Sequence, residues 1–497
     1  MDASPIIPIS VASLELTNFR LFSELKVELH PELTIFVAPN AGGKTSILDA
    51  IFYHLCLFLE PNTVKKSIKH DIKTPSPIIP LFEIQLKYSL MAEQNQAASP
   101  IKNISCINKM IPYIERPEKF YWVSRISDNN HVMKKNSIYE LSNDSNEERI
   151  KLLSENIAIS NRVSEALRIL MAVIETELNP TILKSGSVDT LSLFAYFSAN
   201  RRLKTDSNVL YEYKELSRIQ AFQSLLPSTD EFFNSFEAWL RERSISGLET
   251  RLAYQEQGIT EEPPEDSHLK AISKVLATML SSEVGIETVK YFASEKGIRA
   301  VTKSGERIDI NQLSHGAKSI LTIAAQLAMN SCALNPHLRD QAPEYTPGIV
   351  LIDEIDLHLH PKWQHHVLED LRRCFPRMQF IVTTHSPAIL STVKREHIRV
   401  IEVDYSTGIG TATTPQSRSY GESIADTLET IMNVPSRPQN ELVKRINAYL
   451  DWAENGDLTE DKSSERSALE QELGTEHHDL FNADLIIRRR KILAARG

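Results

Sequence analysis

The chain has 497 residues and a formal net charge of −10, with 41% hydrophobic and 24% charged residues. At ~100–200 residues per domain this is an ordinary soluble composition for two to four domains, or for one domain with large insertions. The acidic balance argues against a bulk electrostatic grip on nucleic acid, and no stretch approaches the ~20 unbroken apolar residues of a bilayer span, so no membrane is expected.

MDASPIIPISVASLEL at the N-terminus has no basic segment ahead of its apolar residues, so a secretory signal is not expected. The four cysteines, Cys56, Cys106, Cys332 and Cys374, lie far apart and form no CxxC pair. Neither a disulfide framework nor a cysteine zinc site is expected, and a cytoplasmic location fits. Local basic clusters occur at Lys65-Lys66, Lys134-Lys135, Arg201-Arg202 and Arg488–Lys491. They read first as solvated surface and leave room for a local DNA contact.

In chain order, Val11–Leu16, Leu25–Leu29 and Leu33–Val37 read as strands. Phe82–Tyr88 is a further strand, and the interval 89–117 reads as a loop-rich insertion. From Glu147 to Leu178 apolar residues recur at helical spacing. Leu191–Phe197 is strand-like, while Thr229–Arg243 and Leu269–Leu280 read as helices. A helix is expected over Ala317–Leu334, then a strand in GIVLIDE, a helix across Trp363–Cys374, a strand in QFIVTTH and short strands around Ile398–Val403. The tail from Gly421 onward reads as helices with stripes at Ile424, Leu428, Ile431 and at Leu442, Ile446, Leu450. Strands alternating with helices in this way indicate a mainly parallel α/β sheet. The expected division is 1–90, a first part of a nucleotide head; 91–300, an insertion that is loop-rich and then helical; 301–415, the second part of the head; and 416–497, a helical tail.

Two segments carry chemistry. Ala38-Pro-Asn-Ala-Gly-Gly-Lys-Thr45 follows a buried strand and opens a helix, the setting in which a glycine-rich loop cradles phosphates. Asn40, Ala41, Gly42, Gly43 and Ser46 would line the nucleotide, Lys44 would reach the β- and γ-phosphates, and Thr45 would offer its hydroxyl to Mg²⁺. Ala38 stands where this motif usually begins with glycine. The strand Gly348–Ile352 ends in Asp353 and Glu354, which suit a Mg²⁺ ligand and a general base for the attacking water. A second apolar strand ends in His385, placed to meet the γ-phosphate. Ser314, Gly316 and the helix start behind them form another anion-binding end. With one cradle already present, its use would be the nucleotide of a second copy, in a head-to-tail dimer. His358, His360, His365 and His366 have neither a cysteine nearby nor a spacing that fits zinc, and Trp239 and Trp363 read as packing residues.

NFR at Asn18–Arg20, the phosphate loop, LSHGAK, LIDEIDLHLHP and TTHSP together resemble the ABC-type ATPases grouped with RecF, SMC and OLD proteins. More narrowly, IDEIDLHLHPKWQ, QFIVTTHSP, AYFSANR and SYGESIADTLETIMNVPSRP are similar to the AAA-labelled ATPases of bacterial anti-phage defence, the Septu ATPases (PtuA), free-standing or retron-associated. The resemblance implies an ABC-type P-loop NTPase head with antiparallel N-terminal strands, a helical insertion lobe and a helical tail. It implies ATP and Mg²⁺ as cofactors, Arg20 near the nucleotide, Asp356 in a loop that communicates across the dimer, and His385 as the switch histidine. Asp71 and Gln85 both remain candidates for the Q-loop residue, and His315 stands where the signature usually has glycine. The tail carries no clustered acidic motif of a nuclease, so the partner implied is a separate HNH nuclease, with a retron reverse transcriptase and its RNA–DNA product as further partners. The alternatives are a DNA-repair ATPase of the RecF/SMC type and a nucleotide-gated scaffold with weak hydrolysis.

Overall fold

The computed structural model describes residues 9–59, 82–90, 102–113, 116–127, 132–140, 190, 192–199, 229–295, 297–457 and 460–494. Fifteen strands are described: β1 Ile9–Phe19, β2 Phe22–Glu28, β3 Leu33–Val37, β4 Phe82–Leu90, β5 Lys102–Tyr113, β6 Arg116–Ser127, β7 Val132–Glu140, β8 Leu193–Phe197, β9 Ile286–Phe292, β10 Gly297–Thr302, β11 Arg307–Asp309, β12 Gly348–Ile352, β13 Met378–Thr383, β14 Ile398–Asp404 and β15 Ile409–Thr413. Twelve of them form one sheet in the order β7-β6-β5-β4-β1-β2-β15-β14-β3-β13-β12-β8.

The half of the sheet from β14 to β8 is parallel. Every residue of β3, β8, β12 and β13 is buried. Short strands that are mostly apolar and buried at every position fit a sheet covered on both faces. From β7 to β2 the strands run antiparallel, β15 is antiparallel to β14 and meets β2 in one parallel bridge, and β2 alternates buried and exposed positions along its length. In the parallel half β13 lies between β3 and β12, so the chain leaving each of these three strands emerges on one edge of the sheet. Ligands of open α/β sheets bind at such carboxyl ends.

The principal helices of the first compact unit, residues 1–427, are α1 Lys44–Leu59, α2 Thr229–Glu256, α3 Pro264–Val284, α4 His315–Leu334 and α5 Val367–Cys374. α3 packs on α4 and on β9 of a separate three-stranded sheet, β11-β10-β9. Trp239 and Trp363 are both buried, as packing residues should be. The second unit, residues 428–497, holds α6 Glu441–Asn455, α7 Ser463–Leu473 and α8 His478–Ala494. Its core is Ile446, Tyr449, Ala453, Leu469, Leu480 and Ala483, with Leu442 and Leu450 packed against it. Arg437 holds Asp479 through two bonds of 2.6 and 2.8 Å. Within the basic run, Arg490 caps the end of α6 by donating to the carbonyls of Ala453 and Gly456 at 2.8 and 2.7 Å.

Two expectations are corrected. The interval 89–117 is not loop-rich throughout: β5 pairs with β4 on one side and β6 on the other. KNISCINKMIPY is rich in polar residues and carries a proline near its end, so its hydrophobic pattern is weak, and strand pairing supplies what propensity does not. The helix expected across Trp363–Cys374 is two pieces, Pro361–Gln364 and Val367–Cys374, parted at His365 and His366. The helical pattern at Glu147–Leu178 lies outside the described residues.

Candidate functional site

The chain leaves β3 at Val37 and re-enters regular structure at Lys44, the first residue of α1. Between them, Ala41 and Gly43 take left-handed backbone angles, φ 62° and 83°. A left-handed alanine costs roughly 1–2 kcal/mol, and strain of this kind gathers at ligand clamps. Ala38 is not among the positive-φ residues. It therefore meets no backbone demand for glycine, and its fit depends on Gly42 instead. A Cβ at Gly42 would stand 2.7 Å from the Ala38 Cβ and 2.9 Å from the Pro39 carbonyl. The Lys44 ammonium donates to the carbonyls of Ala38 and Pro39 at 2.8 and 3.1 Å, across the mouth of its own loop. Burial lowers its pKa from the ordinary lysine value, and the carboxylates of Asp353, Glu354 and Asp356 oppose that shift.

The acid pair comes from β12. Asp353 is buried, and both of its oxygens are engaged. Thr45 donates its hydroxyl to Oδ2 at 2.9 Å and Thr383 donates to Oδ1 at 2.6 Å. Thr383 Oγ1 in turn accepts the backbone N–H of Glu354 at 2.7 Å. Glu354 itself has φ 48°, a strained angle for a side-chain-bearing residue at the strand end. Two hydroxyls from different elements thus converge on the Asp353 carboxylate after β12: Thr45 at the start of α1 and Thr383 at the end of β13. A hydroxyl and a carboxylate are hard oxygen donors, the set that suits Mg²⁺.

Asp356 organises the next loop. Its Oδ1 accepts the Thr384 hydroxyl at 2.6 Å and the His385 N–H at 3.2 Å. His385 thereby sits half-buried beside the acid pair's strand. Arg20 occupies the tip of the β1–β2 hairpin at φ 51° and pairs with Asp49 of α1 at 2.6 Å. Asp49 also accepts the Tyr196 hydroxyl of β8 at 2.7 Å. Asp49 is one helical turn beyond Thr45, so Arg20, α1 and β8 are tied together next to the metal-suited pair.

Ser314 caps α4, accepting the Ala317 N–H at 3.2 Å, and Ser314 and His315 are exposed. Gly316 is buried: a Cβ there would stand 2.3 Å from the His358 carbonyl oxygen. The loop that starts α4 therefore packs directly on the loop that follows Glu354, within one chain. Of the sequence-read residues, Lys44, Thr45, Asp353, Glu354 and His385 gather at one edge, with Asn40 and Ala41 exposed above them. Gln85 lies on β4, in register with Glu15 and Ile107, and Asp71 is outside the described residues. Thr383, Asp49 and Tyr196 escaped the sequence reading. Thr383 and Tyr196 lie inside TTHSP and AYFSANR, and the Thr45–Asp49 spacing on one helix face was the available signal for Asp49.

The chain is 37% identical over 191 residues to the Retron Vc95 probable ATPase of Vibrio cholerae serotype O1 biovar El Tor, covering 38% of this chain and 35% of that protein. It is 41% identical over 81 residues to a Septu protein PtuA of Bacillus mycoides (strain KBAB4), covering 16% of this chain and 11% of that one. The chain thus aligns with about a third or less of the length of these relatives. Among solved structures, an SMC head bound to the C-winged helix domain of ScpA covers 81% of this chain and 97% of its own, at 14% identity and a TM-score of 0.40. The AAA ATPase domain model matches residues 10–390, from β1 to just beyond His385. That match spans both halves of the site as well as most of the chain, and the chain belongs to the AAA ATPase domain family.

Proposed function

We propose that this chain is an Mg²⁺-dependent ATPase that closes head to tail with a second copy around ATP and uses the cycle to control a partner nuclease of the HNH type in anti-phage defence. The observation that carries the catalytic part is the 2.9 Å contact between Thr45 Oγ1 and Asp353 Oδ2. It joins the phosphate loop to the acid strand at the place where a nucleotide-bound metal is held in P-loop enzymes. Residues 1–90 and 301–415 together make the nucleotide head in this reading.

In the proposed cycle Lys44 exchanges its two loop carbonyls for the β- and γ-phosphates, a trade that restores full charge compensation to a buried ammonium. Thr45 and Asp353 would hold the metal, which when bound would supply positive charge against the phosphate oxygens. Glu354 orients and polarises the attacking water, and His385, positioned through Asp356, meets the γ-phosphate. Ser314 and the α4 start of the second copy complete the site. The packing of Gly316 on the His358 carbonyl gives a physical link between signature loop and acid loop in each chain. The relatives named for retron and Septu systems support the defence setting. A cytoplasmic location and, in a retron setting, a reverse transcriptase with its RNA–DNA product belong to the same proposal.

Glu354→Gln tests the assignment. ATP turnover should fall by orders of magnitude while ATP binding persists; unchanged turnover would remove Glu354 from the role of base. Co-purification with the products of neighbouring genes tests the partner.

A further inference from the structure

We propose that His30, Glu396 and His397 form a second divalent-metal site, of the zinc class, on the edge of the sheet opposite the nucleotide. Each of the three offers a ligand atom, and these atoms lie within 4.8 Å of one another. His30 immediately precedes the loop into β3, and Glu396 and His397 immediately precede β14. β3 and β14 are parallel neighbours. The three side chains therefore stand at the amino ends of these strands, whereas Lys44, Thr45 and Asp353 stand at the carboxyl ends.

The chemistry of the set is that of zinc: two imidazoles and one carboxylate, with a fourth position left for water. His397 is oriented as a ligand. Its Nδ1 lies 3.2 Å from the Leu33 carbonyl, which accepts that proton and leaves Nε2 with its lone pair. A backbone carbonyl behind a ligating imidazole fixes tautomer and ring direction, as is usual for metal-bound histidine. The Glu396 carboxylate lies 4.0 Å from that Nε2. The two rings meet edge to face with centroids 4.3 Å apart.

The backbone at His30 is also fixed. Its N–H donates to Thr34 Oγ1 at 2.8 Å and its carbonyl accepts from Gln379 Nε2 at 2.9 Å. His30 Nδ1 accepts the Glu32 N–H at a long 3.2 Å, a bond that coordination through that nitrogen replaces. Glu396 is the exposed member, and rotation of its side chain closes the set to zinc distances of ~2.0–2.2 Å. Of the neighbouring cations, Arg372 is paired with Glu32 and Arg399 donates to the carbonyls of Glu28 and Glu396, while the Lys394 ammonium lies 3.8 Å from the Glu396 carboxylate, a surface contact that metal coordination replaces. Bound there, the ion staples the entries of β3 and β14, and β3 is the strand that delivers the phosphate loop.

The test uses the full chain without nucleotide, stripped with chelator and then titrated with Zn²⁺ alone, with bound metal counted by elemental analysis after dialysis and thermal unfolding followed in parallel. Wild type should retain one more zinc per chain than Glu396→Gln or His30→Gln at limiting Zn²⁺, and zinc should raise its unfolding temperature more than theirs. His397→Gln should lose the site completely; if its loss of the Leu33 contact prevents folding, the other two variants decide. Equal zinc retention and equal thermal shifts in wild type, Glu396→Gln and His30→Gln would overturn the proposal, and so would the absence of any retained zinc in wild type.

Discussion

The Thr383 hydroxyl donates to Asp353 Oδ1 over 2.6 Å while accepting the N–H of Glu354 at 2.7 Å. One buried side chain from β13 thus fixes both acids of β12, the one suited to metal and the one suited to water. A hydrogen bond to a charged group is worth about 1.5–3 kcal/mol. Thr383→Val should therefore lower kcat by about 10–100-fold and change nucleotide affinity less, with Thr383→Ser restoring most of the rate. Steady-state ATPase assays with a parallel nucleotide-binding titration separate the two.

Asp356 holds the loop that follows β13 through Thr384 and the His385 N–H. Asp356→Ala should release His385 from its position and lower kcat while leaving nucleotide binding near wild type. Asp356→Asn keeps an acceptor oxygen and should retain part of the rate. A loss confined to nucleotide affinity would contradict the positioning role.

In the phosphate loop the residue under steric demand is Gly42, not the alanine that departs from the motif. Gly42→Ala places a methyl 2.7 Å from the Ala38 Cβ. Overpacking of about 1–3 kcal/mol should appear as weakened nucleotide binding. Ala38→Gly should leave affinity unchanged and cost about 0.4–1 kcal/mol of stability through the freer unfolded chain. Nucleotide titration and denaturant unfolding read these two effects separately.

The motifs are legible because their strands are short, mostly apolar and followed at once by charged or glycine-rich loops. β3, β12 and β13 are buried at every position, so periodicity and punctuation agreed there. β5 was hidden by its polar residues, since its strand character resides in pairing with β4 and β6 rather than in its own pattern. The small sheet β9–β11, which packs against α3, carries no motif that marks it in the sequence. Thr383 was overlooked because a threonine late in an apolar strand looks like ordinary β-branched filling until the fold sets it opposite Asp353. Arg20 entered only through family resemblance; its ion pair with Asp49 joins residues brought together by β1, β2 and α1.

His268 on α3 is buried, and burial, with Arg243 nearby, holds its pKa down to about 4 from 6.5. Its proton is bound more readily in the unfolded chain than in the folded one. Stability is therefore full above pH 6.5 and is lost as pH falls from 6.5 toward 4, by about 3 kcal/mol in all. His268→Gln should flatten that part of the stability–pH curve, measured by denaturant unfolding across this window. An unchanged slope would assign the acid sensitivity elsewhere.

A composite site completed by a second copy should be restored by mixing two inactive chains. Glu354→Gln removes the base, and Ser314→Arg blocks the signature end. In a mixed head-to-tail dimer one site inherits both defects and the other inherits neither. ATP turnover should therefore reappear when the two purified variants are combined under Mg²⁺, and should rise with the fraction of mixed dimer. A mixture no more active than the two variants alone would exclude a site shared between two copies.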